Sequence, residues 1–173
     1  DYGHQLLASI NEASKSPNEA EAYAKRRDAY LQLMLDLDEL LSTNENFMLG
    51  RWTNMARGIA DEAEGTTEAD RQWLELNNAR TLISTWGDEN SSEGSGLRDY
   101  SYREWAGMMK DFYYPRWQAF FNNRDNGKVL PNWFANDWKW AHNASLSYSD
   151  QPTGNTDILI IALHEKHTIF HRQ

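Results

Sequence analysis

The sequence predicts an all-α fold, a helical bundle of about six to seven helices, and three observations carry that prediction. Apolar side chains recur at three- and four-residue steps over most of the chain, as in helices with one buried face. The breaks between these runs are short, polar and rich in Gly, Ser, Asn and Pro. No run alternates apolar and polar residues between hairpin-type turns, so strands have no pattern to form from. No repeat of fixed period is visible and no linker divides the chain, so residues 1–173 read as one domain.

Taken in order, Tyr2 to Ser14 places Leu6, Leu7 and Ile10 on one side of a first helix. Ser16-Pro17-Asn18-Glu19 starts the second: Ser16 can cap, Pro17 suits the first turn and Glu19 completes a capping box. Tyr23, Tyr30, Met34, Leu37 and Leu41 then line one face. Ser42 to Asn46 breaks the pattern and offers another cap, after which Met48, Trp52, Met55, Ile59 and Ala63 repeat the step until Gly65 stops it. Thr67 and Asp70 start a fourth helix carrying Trp73, Leu76, Ala79, Ile83 and Trp86. Beside that stripe, Asn77, Arg80 and Ser84 make a polar line that either meets solvent or faces a buried polar pocket. Gly87 to Gly96, with three Gly and three Ser, is a loop. Ser101 and Glu104 form a capping box ahead of Trp105, Met108, Met109 and Phe112, and Pro115 kinks this helix or splits it from one continuing through Trp117 and Phe120. Asn122 to Gly127 turns the chain, Pro131 to Leu146 is helical with Trp133, Phe134, Trp138 and Trp140, and Asp157 to Phe170 is the last helix.

Composition removes several function classes. A chain of 173 residues hides roughly 70% of its open-chain surface on folding, enough for one full core. Eight Trp imply a core of large rings; the same richness occurs in proteins that stack sugar faces on aromatics. The net charge of -9, with 26 acidic against 17 basic side chains, argues against a nucleic-acid partner, which needs clustered Lys and Arg. Without Cys there is neither a disulfide nor a thiolate metal site. The longest apolar run, Ile158 to Leu163, falls far short of the roughly 18 residues of a membrane span. The chain opens at Asp1 with neither Met nor a leader-like segment, as a mature or trimmed form would. High Asn content and absent Cys point to an exported bacterial protein, secreted or periplasmic.

No self-contained catalytic constellation appears, and no cofactor is implied. His164, Glu165, His167 and His171 have ligand-like steps, but cations near a helix C-terminus are favoured by its dipole at about 0.3 to 1 kcal/mol each, and nothing completes a metal set. The acidic clusters Asp36-Asp38-Glu39 and Asp61-Glu62-Glu64 read as solvated helix faces. Glycoside hydrolysis needs two carboxyl groups facing each other across a sugar, roughly 5 to 10 Å apart, which neighbours on one helix surface do not supply. Nucleophile elbow, P-loop and dinucleotide fingerprint are all missing.

Five ordered blocks carry a resemblance. They are Leu35-Asp36-Leu37-Asp38-Glu39-Leu40-Leu41, Phe47-Met48-Leu49-Gly50-Arg51-Trp52, Arg80 to Gly87, Asp99-Tyr100 with Trp105-Ala106-Gly107, and Tyr113-Tyr114-Pro115-Arg116-Trp117. In order and spacing, Tyr30 to Phe121 resembles the C-terminal helical region of the alpha-N-acetylglucosaminidases, glycoside hydrolase family 89. The resemblance implies part of an exo-acting, retaining glycosidase for terminal alpha-linked N-acetylglucosamine. Its two catalytic glutamates would sit on an upstream TIM-type barrel that this sequence lacks, so the chain alone is expected to be inactive. The barrel of the same polypeptide and the glycan are the implied partners, and an animal member would be lysosomal. Trp86 matches the Trp of the family's Leu-x-x-Trp-Gly pattern and is expected at the sugar site, against the alternative of a core Trp. Arg80 matches the family's Arg and is expected to orient this helix against the barrel or an acidic pocket residue, or else to form a surface ion pair. Asp99 and Tyr100 also match, with pocket contact or, for Asp99, helix capping as their roles. The stretch 88–96 is longer and more polar than the family's loop, and the tail from Asn122 matches too weakly to carry any residue over. Two rival readings are a carbohydrate-binding module without hydrolysis and a purely structural domain; the second requires Trp86 to be buried.

Overall fold

Helices form where the apolar spacing is undisturbed, and the departures from that spacing build the site. The computed structural model describes residues 2–94 and 96–168. Its α-helices are α1 (Tyr2–Ala13), α2 (Ala20–Leu41), α3 (Leu49–Ala60), α4 (Glu68–Leu74), α5 (Thr81–Ile83), α6 (Tyr114–Asp125), α7 (Trp133–Ala141) and α8 (Thr156–Thr168). Among the described residues there is no strand, and sheet-like pairing is limited to a bridge of Met48 with Ala106. The all-α expectation holds. The helix count rises because a π-helical stretch, Glu75–Arg80, divides the predicted fourth helix into α4 and α5. Two further π-helical stretches follow, Asn90–Gly94 in the loop after α5 and Met109–Tyr113, which abuts α6; α6 takes Pro115 into its first turn as the proline implied.

Local start signals succeed unevenly. Thr67 and Asp70 start α4 as expected, closing a capping box, whereas α3 already stops at Ala60 and Gly65 only turns the loop beyond it at a φ of 80°. Ser16 makes no side-chain cap: Pro17–Glu19 closes as a 3-10 turn, with the Glu19 N–H on Ser16 O at 3.0 Å. The helix expected from Ser101 does not start there either. The Ala106 N–H donates to Phe47 O at 2.8 Å and the Leu49 N–H to Ala106 O at 3.1 Å, holding the segment extended. Helix begins only at Met108, under a cap from α2: Asp38 Oδ1 accepts the Gly107 N–H at 2.6 Å and the Lys110 N–H at 3.1 Å.

The core joins Met34 of α2, Leu49 of α3, Ile83 of α5, Met108 with Met109, Phe112 and Tyr113 of the π-helical stretch that follows it, and Trp140 and Ala141 of α7. Ring contacts dominate it, with Phe112 4.8 Å from Trp140 and 5.0 Å from Tyr113. The segment after α7 lies directly on backbone: a Cβ at Gly107 would fall 2.6 Å from the Tyr148 ring, and one at Gly50 2.1 Å from Ser149 O.

Two predicted stripes are rotated. On α3 the inward residues are Leu49, Thr53 and Ala60, while Met55 and Ile59 are exposed. Along α4 the π-helical stretch inserts extra residues into the turn, so Trp73 is left outside and Glu75, Ala79 and Arg80 turn inward. The first acidic cluster is not a solvated face. Asp38 caps a helix, and buried Asp36 accepts from Gln32 Nε2 at 2.9 Å and Lys166 Nζ at 2.7 Å and pairs with His167 Nε2 at 2.8 Å, tying α8 to α2. His171 and Phe170 lie outside the described residues.

Candidate functional site

The site begins where α5 runs out. The Ser84 hydroxyl turns back to Arg80 O at 2.7 Å, and the Ser84 and Trp86 N–H groups both reach Thr81 O, at 3.3 and 2.8 Å. This tight closure drives Trp86 into left-handed backbone at a φ of 36°, and Gly87 continues it at 120°, where only glycine is unstrained. The Trp86 ring is consequently thrown outward and is 42% exposed.

The loop that follows is pinned back on this turn. The Ser92 N–H meets Asp88 O at 2.9 Å, the Ser91 N–H meets Asp88 Oδ1 at 2.8 Å, and the buried Ser92 hydroxyl donates to Thr85 O. The Asp99 N–H donates to Ser84 O at 2.5 Å, which brings Tyr100 beside Trp86 with ring centroids 5.1 Å apart and planes inclined by 38°. Tyr100 is 68% exposed. Asp99 and Tyr102 are also left-handed, at φ of 52° and 44°, so the described non-glycine residues with positive φ all lie at this corner. Such conformations cost on the order of 1–3 kcal/mol each and persist where the surroundings over-determine them.

Beneath the rings, Asp99 accepts the Tyr113 hydroxyl at 2.8 Å on Oδ1 and Arg116 Nη1 at 3.0 Å on Oδ2. Burial pushes the Asp99 carboxyl above its usual range, against the pull of Tyr113 and Arg116, and burial with the Asp99 charge pushes the Tyr113 phenol well up. A cavity of about 190 Å³ opens beside them, lined among others by Arg98, Tyr102, Arg116, Phe120 and Trp133.

Arg80 does not reach the surface. Its side chain is 1% exposed, and its guanidinium donates to Glu75 Oε1 at 3.1 and 2.5 Å, to Asn143 O at 2.9 Å and to Leu146 O. The Tyr148 and Trp140 rings lie 5.1 and 5.9 Å from its central carbon. Arg80 thus fastens the π-helical stretch to the segment after α7, and through its carbonyl it holds the Ser84 turn. The structure therefore brings Trp86, Asp99 and Tyr100 together at one corner and puts Arg80 inside, below the turn. Asp99 caps no helix; its carboxylate is taken by Tyr113 and Arg116.

Sequence reasoning missed Tyr102, Arg116 and Asp137, the last a buried residue of α7 beside Arg98 and Arg116. Arg116 stands in a block that carries the family resemblance, which is the one signal pointing to it; nothing in the local pattern marks the other two. Chemically, the corner offers ring faces and phenol groups to solvent while Asp99 and Asp137 are held below by arginines. That arrangement suits binding a flat, hydroxyl-bearing ligand.

Comparison with known proteins identifies the family and the fold. Residues 1–166 match the family model for the alpha-N-acetylglucosaminidase (NAGLU) C-terminal domain. Over 89 residues the chain is 33% identical to alpha-N-acetylglucosaminidase from Homo sapiens, a match covering 51% of this chain and 10% of that protein. Among solved structures it is similar to the family 89 glycoside hydrolase from Clostridium perfringens in complex with 2-acetamido-1,2-dideoxynojirmycin, with a TM-score of 0.80 and 26% identity over 94% of this chain and 19% of that one. The same enzyme in complex with its substrate GlcNAc-alpha-1,4-galactose gives a TM-score of 0.80 and 26% identity, with coverage of 94% and 19%. The chain thus spans about a tenth of the human relative and about a fifth of the bacterial enzyme. With its fold and nearly all of its length matched, the chain belongs to the family of alpha-N-acetylglucosaminidase C-terminal domains of glycoside hydrolase family 89.

Proposed function

We propose that this domain completes the pocket of an exo-acting, retaining alpha-N-acetylglucosaminidase, packing on the catalytic barrel of the same polypeptide and closing one side of the site for terminal alpha-linked N-acetylglucosamine. Trp86 and Tyr100 contact the sugar; Arg80 and Asp99 serve the site from beneath, holding the turn and the loop that present the two rings. Acid and nucleophile are supplied by the barrel, so the chain alone is inactive. The enzyme works where terminal glycans are reached, outside the cytosol of a bacterium or in the lysosome of an animal.

The observation that carries this reading is a half-exposed Trp beside an exposed Tyr at a left-handed corner. The purely structural alternative requires a buried Trp86, and its exposure of 42% disfavours it. The test is hydrolysis of an aryl alpha-N-acetylglucosaminide by the longer protein that includes the barrel. Trp86→Ala should fold and lose at least about tenfold in kcat/KM, about 1.4 kcal/mol of transition-state binding. Unchanged activity would make Trp86 a packing residue and the domain a brace.

A further inference from the structure

Glu93, Arg98, Asp137, Arg116 and Asp99 form a chain of alternating charge that runs under the loop carrying Tyr100. Arg98 Nη1 donates to Glu93 Oε1 at 2.6 Å, and the same oxygen accepts the Phe134 N–H at 2.9 Å at the start of α7. Arg116 Nη1 donates to Asp99 Oδ2 at 3.0 Å, and the Phe112, Tyr113 and Trp133 rings lie 4.9, 5.7 and 5.7 Å from its central carbon. Asp137 stands between the two arginines with its side chain 1% exposed, Oδ2 3.9 Å from Arg98 Nε and Oδ1 3.6 Å from Arg116 Nε. Neither oxygen has a hydrogen-bond partner among the described residues.

A buried carboxylate without hydrogen bonds is expensive, and here its compensation is the field of two guanidiniums. Those guanidiniums in turn grip Glu93 and Asp99, one on each side of the segment that folds back on Trp86. We infer that Asp137 is a positioning residue for the proposed sugar site: from inside the bundle it tethers Arg98 and Arg116 and, through Asp99, fixes Tyr100 beside Trp86. This inference rests on the pocket reading above.

The titration of the group agrees with the geometry. Burial pushes the Asp137 carboxyl up to about 7; Arg116 and Arg98 oppose the rise, and Asp99 and Glu93 add to it. Asp111 and Lys139 line, with Asp137 and Arg116, a cavity of about 300 Å³. Above that pH the ionised carboxylate holds both arginines, and below it the neutral acid releases them.

The experiment uses the longer protein with its barrel, an aryl alpha-N-acetylglucosaminide, and kcat and KM measured separately from pH 5 to 9. Asp137→Asn, a mimic of the protonated form, should raise KM about fivefold at pH 8 with kcat changed less than about twofold. The gap should close below about pH 6, where the native residue is itself protonated. Arg98→Gln should raise KM in the same way and Arg98→Lys should restore it; this pair decides the question if the Asp137 variant fails to fold. A native KM in Asp137→Asn or Arg98→Gln at pH 8, while Trp86→Ala loses activity, overturns the tether and leaves the pocket reading standing. If Trp86→Ala is also silent, the pocket reading itself has failed.

Discussion

At the scale of single residues, Arg80 and Trp86 divide the labour that one sequence motif appeared to give to both. The Leu82-Ile83-Ser84-Thr85-Trp86-Gly87 ending sends the Trp outward because the Ser84 and Trp86 N–H groups share one carbonyl and Gly87 accepts a φ of 120°. Arg80 meets a buried carboxylate and two carbonyls, so its removal leaves groups unpaired in the interior. Arg80→Met should destabilise by roughly 3–5 kcal/mol. At about 2–4 °C per kcal/mol that lowers Tm on the order of 10 °C, measured by near-UV circular dichroism, to which the flanking Trp140 and Tyr148 contribute. A loss below 1 kcal/mol with a tenfold rise in KM would instead put Arg80 in sugar contact. Asp137 behaves in the opposite sense for stability. Its folded-state pKa is raised, so the folded chain binds the extra proton, and the stabilisation is present at low pH and declines as pH rises from about 4 to about 7. Above pH 8, therefore, Asp137→Asn should melt no lower than the native chain even as it loses affinity for the sugar.

At the scale of elements, some boundaries were legible from local signals, although the capping box expected at Ser16 did not form. Thr67 with Asp70 and Pro115 acted as their chemistry dictates, whereas the helix expected to run to Gly65 stopped at Ala60. The Ser101 and Glu104 signal failed because it competed with partners far away in sequence: Phe47 and Leu49 bind the backbone of Ala106, and Asp38 supplies the cap that decides where the next helix starts. The π-helical stretch Glu75–Arg80 was invisible for a related reason, since a period of 3.6 read through it puts Trp73 inside and Arg80 at the margin, the reverse of what forms. Helix α8 shows the same dependence on a distant acid. It lacks a buried side chain of its own and is fastened to α2 where Asp36 meets Lys166 and His167. Burial alone would raise the Asp36 carboxyl, but the hydrogen bonds of Lys166, Gln32 and His167 hold it below its usual value. The stabilisation is thus present above about pH 4 and is lost as pH falls through the depressed folded-state value. Amide exchange along α8 should accelerate selectively in Asp36→Asn at pH 7 and in the native chain in strong acid. Protection equal to that of α2 in both conditions would mean that the tether is not what docks the helix.

At the scale of the whole molecule, the fold class was open to reading because it depends on periodicity summed over many turns, whereas the site depends on a few loop contacts that no periodicity records. Trp86, Asp99 and Tyr100 were reachable through family resemblance; Tyr102 and Asp137 were not, because their roles arise only once α6, α7 and the loop have met. The outer surface keeps large apolar side chains in separate places: Met55, Ile59 and Trp73 on α3 and α4, Ile158, Ile160 and Ile161 on α8, and Leu82, Trp86, Tyr100 and Tyr102 at the corner. Patches of this kind associate when nothing covers them, and the net charge of -9 opposes that association. In isolation the chain should therefore form concentration-dependent oligomers in sedimentation experiments, more so as added salt screens the repulsion. A monomer at every concentration and salt level, binding no hydrophobic dye, would count against covered faces in the longer protein. The three left-handed side chains at Trp86, Asp99 and Tyr102 set a different kind of limit. Glycine at any of them would relieve backbone strain while removing a ring or a carboxylate from the corner. A screen that rewarded heat resistance alone would be drawn to the two aromatic positions before Asp99, whose carboxylate holds Tyr113 and Arg116, and would strip the corner of the rings that the proposed sugar contact needs.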